Sequence, residues 1–249
     1  MIGRCSRRNK PLDLQHDESR RSVSRFIDHI WRSHSDEAGA FLSMADIHFG
    51  LIITKTDGRT WVTFKGPETI SSLTFAPPDS NWLGIVFRPG VHMSSLPPSR
   101  LVNRQDLTLP ASRKHRFGFG AYSLEVPDFS SAEDLVHRLL RLGLLEYDRL
   151  AGEVLARQEI AMSERNIQRR FLHDTGVLPV EAWQIQRARR AVQLLKKGGG
   201  IAEVAQQVGY FDQSHMTRSL KRFIGLTPSR ISDPKRNEIL SFLYEEGQI

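Results

Sequence analysis

Residues 201–231, IAEVAQQVGYFDQSHMTRSLKRFIGLTPSRI, decide the fold of the C-terminal part of the chain. Four apolar residues at its start are spaced i, i+3, i+4 and i+7, which predicts a short helix with one buried side: Ile201, Val204, Ala205 and Val208. Gly209 follows, where a tight turn needs a residue that tolerates positive φ. Asp212 then has the chemistry of an N-cap for a second helix. Helix, glycine turn and helix together are typical of the helix-turn-helix motif.

The second helix of this stretch has two chemically different sides. Apolar residues form the side predicted to face inward: Met216, Leu220, Phe223 and Ile224. Hydrogen-bond donors occupy the opposite side: Gln213, Ser214, Thr217, Arg218 and Lys221. A helix-turn-helix motif lays its second helix in the DNA major groove, so we predict that this side contacts DNA. The alternative is a polar helix face that is simply solvated.

The same pattern occurs twice in the chain. When the sequence is shifted by 49 residues, a cap, a core pair, an arginine, a glycine and a proline recur in register. The matched pairs are Ser163 with Asp212, Ile167 with Met216, Arg169 with Arg218, Phe171 with Leu220, Gly176 with Gly225 and Pro179 with Pro228. This register predicts an internal duplication of the helix-turn-helix unit.

Residues 161–231 resemble the AraC/XylS-type transcriptional regulators. The resemblance rests on three segments: SERNIQRRFLHDTG, QRARRAVQLLKKG and IAEVAQQVGYFDQSHMTRSLKRFIGLTPS. It covers roughly the last third of the chain, and the third segment is the most specific. The resemblance implies two helix-turn-helix units joined by one long helix, in a protein that binds promoter DNA.

The resemblance also implies which residues read bases in the first unit. Ser163 is the predicted cap of the first reading helix, and Arg165, Gln168 and Arg169 lie on the face opposite its apolar side. Arginine can bind guanine with two hydrogen bonds and glutamine can bind adenine likewise, each giving about 1–3 kcal/mol of base discrimination. The equivalent residues of the second unit are Gln213, Ser214, Thr217 and Arg218.

The first unit departs from the family pattern before Ser163. The turn there normally contains glycine, whereas this chain has Ile160-Ala161-Met162. We therefore expect the supporting helix, residues 148–157, to be short or its turn to be irregular.

The connecting helix is predicted over residues 179–197, where a proline begins it and three glycines stop it. Its length should fix the distance between the two reading helices. Its basic residues are candidate phosphate contacts: Arg187, Arg189, Arg190, Lys196 and Lys197.

Residues 24–128 read as mostly β, with short apolar runs separated by turn residues. The clearest hairpin joins residues 51–55 to residues 60–64 through Asp57-Gly58, the dipeptide that a type I′ turn favours. Further strands are predicted at residues 83–87 and 117–124. Four aromatic residues could line a ligand pocket or pack in the core: Trp31, Trp61, Trp82 and Phe87. In the family resembled, a domain of this kind often binds an effector or forms a dimer.

Ser130-Ser131 predict the start of a helix that carries Leu135, Leu139 and Leu142 at i, i+4 and i+7. These leucines either pack on the β domain of the same chain or form a dimer seam.

The predicted fold class is α+β. A mostly-β domain, barrel- or sandwich-like, precedes an all-α domain with two helix-turn-helix units joined by a long helix. The predicted division is a flexible basic tail over residues 1–20, a β-rich effector or dimerisation domain over 21–145, and the DNA-binding domain with its C-terminal tail over 146–249.

Composition restricts the other function classes. The chain of 249 residues has a net charge of +7, which suits a polyanionic partner such as DNA. Its one cysteine, Cys5, excludes a disulfide framework and a four-cysteine zinc site. The histidines of the N-terminal half form no His-x-His or HExxH motif, and its serines lack the nucleophile-elbow motif. We therefore predict no catalytic residue, no cofactor and no metal ligand.

The sequence also predicts a cytoplasmic chain without a membrane partner. It begins with charged residues rather than with the apolar run of a signal peptide. No apolar stretch reaches the ~20 residues that a membrane span requires.

These patterns predict a sequence-specific transcriptional regulator whose N-terminal half senses a small molecule or pairs two chains. Its expected partners are double-stranded promoter DNA, a small-molecule effector, a second copy of the chain and, if it activates transcription, RNA polymerase. One alternative is a DNA-repair alkyl-acceptor protein, which would need an activated cysteine. The other is a β-barrel enzyme with an accessory DNA-binding module.

Overall fold

A computed structural model describes residues 15–103, 106–111 and 115–233. The predicted basic tail before residue 15, including Cys5, lies outside the described residues, as does the predicted C-terminal tail after Asp233. Within the described ranges, a β-rich half is followed by a helical half, so the predicted fold class is confirmed.

The strands of the N-terminal half are short, and those in the described residues pair antiparallel. They are β1 (Gln15–Arg21), β2 (Ile27–Ser35), β3 (Gly39–Ser43), β4 (Gly50–Thr56), β5 (Arg59–Lys65), β6 (Ser72–Ala76), β7 (Ser80–Phe87), β8 (Val91–Met93), β9 (Leu107–Pro110), β10 (Arg116–Phe119), β11 (Tyr122–Glu125) and β12 (Leu145–Tyr147). A six-stranded sheet has the order β1-β2-β7-β4-β5-β9, and the pairs β3-β6, β8-β12 and β10-β11 lie outside it. A 3₁₀ turn, Pro98–Arg100, lies between β8 and β9.

The predicted hairpin is present as β4 and β5. Asp57 and Gly58 both have positive φ, 48° and 67°, as a type I′ turn requires. The single strand predicted at residues 117–124 is wrong, because the chain turns at Gly120 (φ 58°) and forms the two strands β10 and β11.

The prediction that residues 1–20 form a flexible tail is wrong for its last part. Residues 15–21 form β1, an edge strand that pairs antiparallel with β2. The charged side chains of this strand remain exposed or half-buried and are tolerated at the edge of the sheet: Asp17, Glu18, Arg20 and Arg21. A charge-rich sequence therefore did not indicate an unfolded segment.

Alternation along β4 and β5 sends one set of side chains into the core of the N-terminal half: Leu51, Ile53, Val62 and Phe64 are buried. Helix α1 (Ala132–Arg141) closes this core. Its residues Leu135 and Leu139 are buried within the same chain. This burial favours the packing role over the dimer seam for the leucine stripe.

The helical half contains two short-helix, turn, long-helix units. Its helices are α2 (Leu150–Leu155), α3 (Glu164–Thr175), α4 (Pro179–Lys196), α5 (Ile201–Gln207), α6 (Gln213–Phe223) and α7 (Pro228–Ile231). The long helix α4 joins the units, close to its predicted bounds. None of the helices in the described ranges has the length and apolar character needed to cross a membrane.

The N-terminal half contributes to the core of the helical half. Met44, Ala45 and Ile47 follow β3 and are buried among the helices α2 to α6. The backbone N–H of Ala45 donates to the carbonyl of Phe223 at 2.7 Å. The short segment 44–47 is therefore structurally part of both halves.

An ion pair within this segment joins the two halves. Arg189 of α4 lies 2.5 Å from Asp46, and His48 contacts the same carboxylate. Burial opposes the ionisation of Asp46, but the charges of Arg189 and His48 outweigh it and hold the pKa of Asp46 well below its usual value.

We expect Asp46→Ala to lower the free energy of unfolding by roughly 3 kcal/mol, because it would break a mostly buried ion pair with Arg189. Chemical denaturation measures this change. Glu125→Ala breaks the exposed Arg116–Glu125 pair and should cost less than about 1 kcal/mol. The Asp46 contribution is present above the ordinary aspartate pKa, about 3.9, and is lost as the pH falls below it. An equal loss in both variants would contradict this role.

Candidate nucleic-acid interface

The second reading helix, α6, presents its polar side to solvent. The Asp212 carboxylate caps it by accepting from the backbone N–H of His215 at 2.6 Å, as predicted. Met216, Leu220 and Phe223 are buried beneath it. Four of its five predicted contact residues are exposed: Gln213, Ser214, Arg218 and Lys221. Thr217 is half-buried, and its hydroxyl donates to the carbonyl of Gln213 at 2.8 Å.

The first reading helix, α3, has the same organisation. Phe171 is fully buried, and Arg165, Gln168 and Arg169 are exposed on the other side. The Gln168 side-chain amide donates to Glu164 at 3.2 Å, one turn earlier. Ser163 stands at the N-cap, but the prediction that its side chain caps the helix is wrong: it makes no such hydrogen bond, and only its backbone carbonyl accepts.

The irregularity expected in the first unit is present. α2 ends at Leu155, whereas the 49-residue repeat would place the equivalent of the end of α5, Gln207, at position 158. Arg157 adopts a positive φ of 54°, a conformation that glycine takes more easily. The linking segment of the first unit is therefore longer than that of the second.

Three arginines on the two reading helices are available to an external anion. Within the described residues, Arg165, Arg169 and Arg218 form no salt bridge. Sequence reasoning overlooked Phe211, which precedes the cap of α6 and is 92% exposed. Its only sequence signal was an aromatic residue in the turn of the motif.

The basic residues of the connecting helix fall into two groups. Arg187 donates to the carbonyl of Gly209 at 3.1 Å and lies over the Tyr210 ring, and Arg189 pairs with Asp46. These two therefore act within the chain, contrary to the prediction that they contact phosphate. Arg190, Lys196 and Lys197 are exposed.

Both reading helices are attached to the N-terminal half at their C-terminal ends. At the end of α6, the carbonyl of Phe223 accepts from the backbone N–H of Ala45. The carbonyl of Arg222 accepts from the backbone N–H of Ser71 at 3.0 Å. Beyond α3, Gly176 (φ 74°) packs directly against the backbone of Pro98 and Ser99. The N-terminal turns of both helices, which carry the base-reading residues of such motifs, remain exposed.

A sequence profile described as a helix-turn-helix domain matches residues 157–233. These residues are an AraC-type helix-turn-helix domain. The matched region begins after α2, includes both reading helices and ends at Asp233.

Two curated relatives share this region. The HTH-type transcriptional regulator RipA of Corynebacterium diphtheriae is 29% identical over 119 residues, which is 46% of this chain and 33% of RipA. YidL of Escherichia coli K12, an uncharacterised HTH-type transcriptional regulator, is 36% identical over 73 residues, or 29% of this chain and 25% of YidL. The chain therefore matches a third or less of the length of each relative.

Solved structures of ToxT from Vibrio cholerae also align with the chain. One covers 88% of this chain and 97% of ToxT, with a TM-score of 0.39 and 12% identity. Agreement at this level is too weak to carry an inference.

We expect Gly176→Ala to destabilise the protein more than Gly198→Ala does. Both positions have positive φ, which costs an alanine about 1 kcal/mol. A Cβ at Gly176 would also lie 2.8 Å from backbone atoms of Pro98 and Ser99, whereas one at Gly198 would meet nothing within 4 Å. The crowding should add roughly 1–3 kcal/mol. Thermal unfolding of both variants measures the difference, and equal losses would show that this contact does not hold α3.

Proposed function

We propose that this chain is a sequence-specific DNA-binding transcriptional regulator of the AraC type. The observation that supports this most directly is the duplicated unit with an exposed, donor-rich face on each reading helix. Relatives named as transcriptional regulators share the same region. With α4 as a rigid connector, α3 and α6 would enter neighbouring segments of the major groove about one helical turn, ~34 Å, apart.

The proposed base-reading residues are those on the exposed face of each helix. Arg165, Gln168 and Arg169 act from α3, and Gln213, Ser214, Thr217 and Arg218 act from α6. Lys221 lies one turn further along α6, where an ammonium group suits a phosphate contact. We add Phe211, because an exposed aromatic side chain beside the start of a reading helix can pack on a thymine methyl group.

The N-terminal half would carry the effector site. A cavity of about 210 Å³ lies between the outer face of the six-stranded sheet and the paired strands β3 and β6. Trp31 and Trp82 line it, while Phe87 is in the core. A Lys65–Glu68 ion pair of 2.8 Å and Asp106, whose pKa burial raises to about 6, supply its polar groups. Such a mixed lining fits a small aromatic or apolar ligand with a polar end.

The remaining partners follow from this function. A regulator that activates transcription must contact RNA polymerase, and a palindromic or repeated operator would bring in a second copy of the chain. Because the proposed partner is promoter DNA, the proposed location is the cytoplasm. A regulator of this kind needs no catalytic step.

We expect Arg169→Ala and Arg218→Ala each to weaken binding to the preferred DNA site by about 1–3 kcal/mol, since each would remove a two-bonded contact to a base. The preferred site is first obtained by selection from random duplexes. Fluorescence anisotropy then compares that site with random DNA, where the losses should be much smaller.

The control for these variants is Arg59→Ala, which removes an exposed arginine at the start of β5, far along the chain from the reading helices. It should bind both DNAs as the unaltered protein does. Equal losses on the preferred site and on random DNA would refute base reading by Arg169 and Arg218.

DNA affinity should fall as salt rises, because cationic side chains release counterions from the phosphates. Lys221→Ala should reduce the slope of log affinity against log salt by about 1, whereas Lys55→Ala, an exposed lysine on β4, should leave it unchanged. A flat salt response of the unaltered protein, or the same slope in both variants, would be evidence against a phosphate contact at Lys221.

A further inference from the structure

His92, His173 and Asp174 meet where the N-terminal half contacts the first reading helix. His92 lies on β8, and the other two end α3. One potential ligand atom from each residue lies within 4.8 Å of the others. The two imidazole rings pack edge to face, with their centroids 5.5 Å apart. The sequence predicted no metal ligand, because these residues come from distant parts of the chain.

His92 is held in the form that a metal ligand needs. Its side chain is nearly fully buried, and Nδ1 lies 3.1 Å from the carbonyl oxygen of Gly90. A carbonyl can only accept, so Nδ1 is the donor in this contact, and Nε2 is the ring nitrogen left for a metal ion. Nε2 lies 3.8 Å from the carboxylate of Glu146, which is mostly exposed.

Asp174 is 5% exposed, and its two carboxylate oxygens differ in their hydrogen bonding. Its Oδ1 lies 2.8 Å from Nδ1 of His173, but Oδ2 is buried without a hydrogen-bond partner among the described residues. Burial raises the pKa of Asp174, and so does the Asp148 carboxylate, which is close enough to share a proton with it. A buried carboxylate oxygen without a donor is costly, and a bound cation would compensate it.

We propose that His92, His173 and Asp174, with Glu146 as the fourth ligand, bind a divalent transition-metal ion of the Zn²⁺ class. Two imidazoles with carboxylate oxygens are an established donor set for zinc. Tetrahedral bonds of 2.0–2.1 Å place ligand atoms about 3.4 Å apart, so the ligand atoms of His92, His173 and Asp174, now within 4.8 Å of one another, must approach by up to about 1.4 Å. The exposed side chains of His173 and Glu146 can rotate to allow this, while His92 and Asp174 are fixed by burial.

The ion would connect the two halves of the protein. β8 pairs with β12, the strand that leads into the helical half, and His173 and Asp174 lie at the end of the helix that carries Arg165, Gln168 and Arg169. Metal occupancy would therefore restrict the orientation of α3. This regulatory consequence, unlike the site itself, rests on the proposed DNA-binding function.

The site is tested by titrating untagged, chelator-treated full-length protein with Zn²⁺ in competition with a colorimetric chelator. We expect one ion per chain, and we expect His173→Ala and His92→Gln each to weaken binding by at least about tenfold. His137→Ala removes an exposed histidine on α1 and should leave the affinity unchanged. His173 is exposed, so its variant should fold even if His92→Gln does not.

The absence of one-to-one binding would overturn the site and would favour a proton shared between Asp148 and Asp174. An undiminished zinc affinity in His173→Ala would also overturn the site. Substitution with Co²⁺ gives a second measurement, because ligation by these residues should produce a tetrahedral visible spectrum that is lost in the His173 variant.

DNA binding measured with and without Zn²⁺ separates the site from its consequence. A zinc effect on DNA affinity in the unaltered protein, absent in His173→Ala, supports the coupling. If zinc binds one-to-one but does not change DNA affinity, the coupling is refuted and the metal site itself is still supported. Failure to select any DNA sequence, with zinc bound, refutes the proposed function instead.

Discussion

The structure depends on how the C-terminal ends of the two reading helices are held. The last carbonyls of any helix lack intrahelical partners and must find them elsewhere. At α6 the N-terminal half supplies them, through the backbone N–H groups of Ala45 and Ser71. At α3 the chain turns through Gly176 against the backbone of residues 98 and 99. Each helix is thus fixed at one end by the β-rich half and exposed at the other, where a helix-turn-helix motif reads DNA.

This arrangement places the proposed effector site close to the second reading helix. Ser43, the last residue of β3, lines the cavity, and Ala45, two residues later, bonds to Phe223. Asp46 then pairs with Arg189 of the connecting helix. A short stretch of backbone therefore touches the cavity, the connector and the end of α6. The candidate metal cluster has the corresponding position at the end of α3, so each reading helix meets the N-terminal half at a different site.

Local sequence signals predicted local structure well. Asp57-Gly58 specified its hairpin because a type I′ turn needs two residues that accept positive φ. Asp212 capped α6 because a short carboxylate reaches the first free N–H groups of a helix. The same reasoning failed at Ser163, whose side chain makes no cap, and at residues 117–124, where a turn at Gly120 divides the predicted strand. Residues 15–20 formed a strand despite their charge, because pairing with β2 was not visible in their composition.

The sequence by itself determined the duplicated helix-turn-helix units, the length of the connector and the two polar faces, since periodicity and capping act over a few residues. Only the tertiary structure decided which charged side chains form ion pairs or lie together in a cluster. Arg189 reads as a surface cation until the fold brings Asp46 to it, and His92 has no local pattern that would associate it with His173 and Asp174. Contacts between residues so far apart are selected by the packing of the two halves. They leave no spacing in the sequence from which they could be predicted.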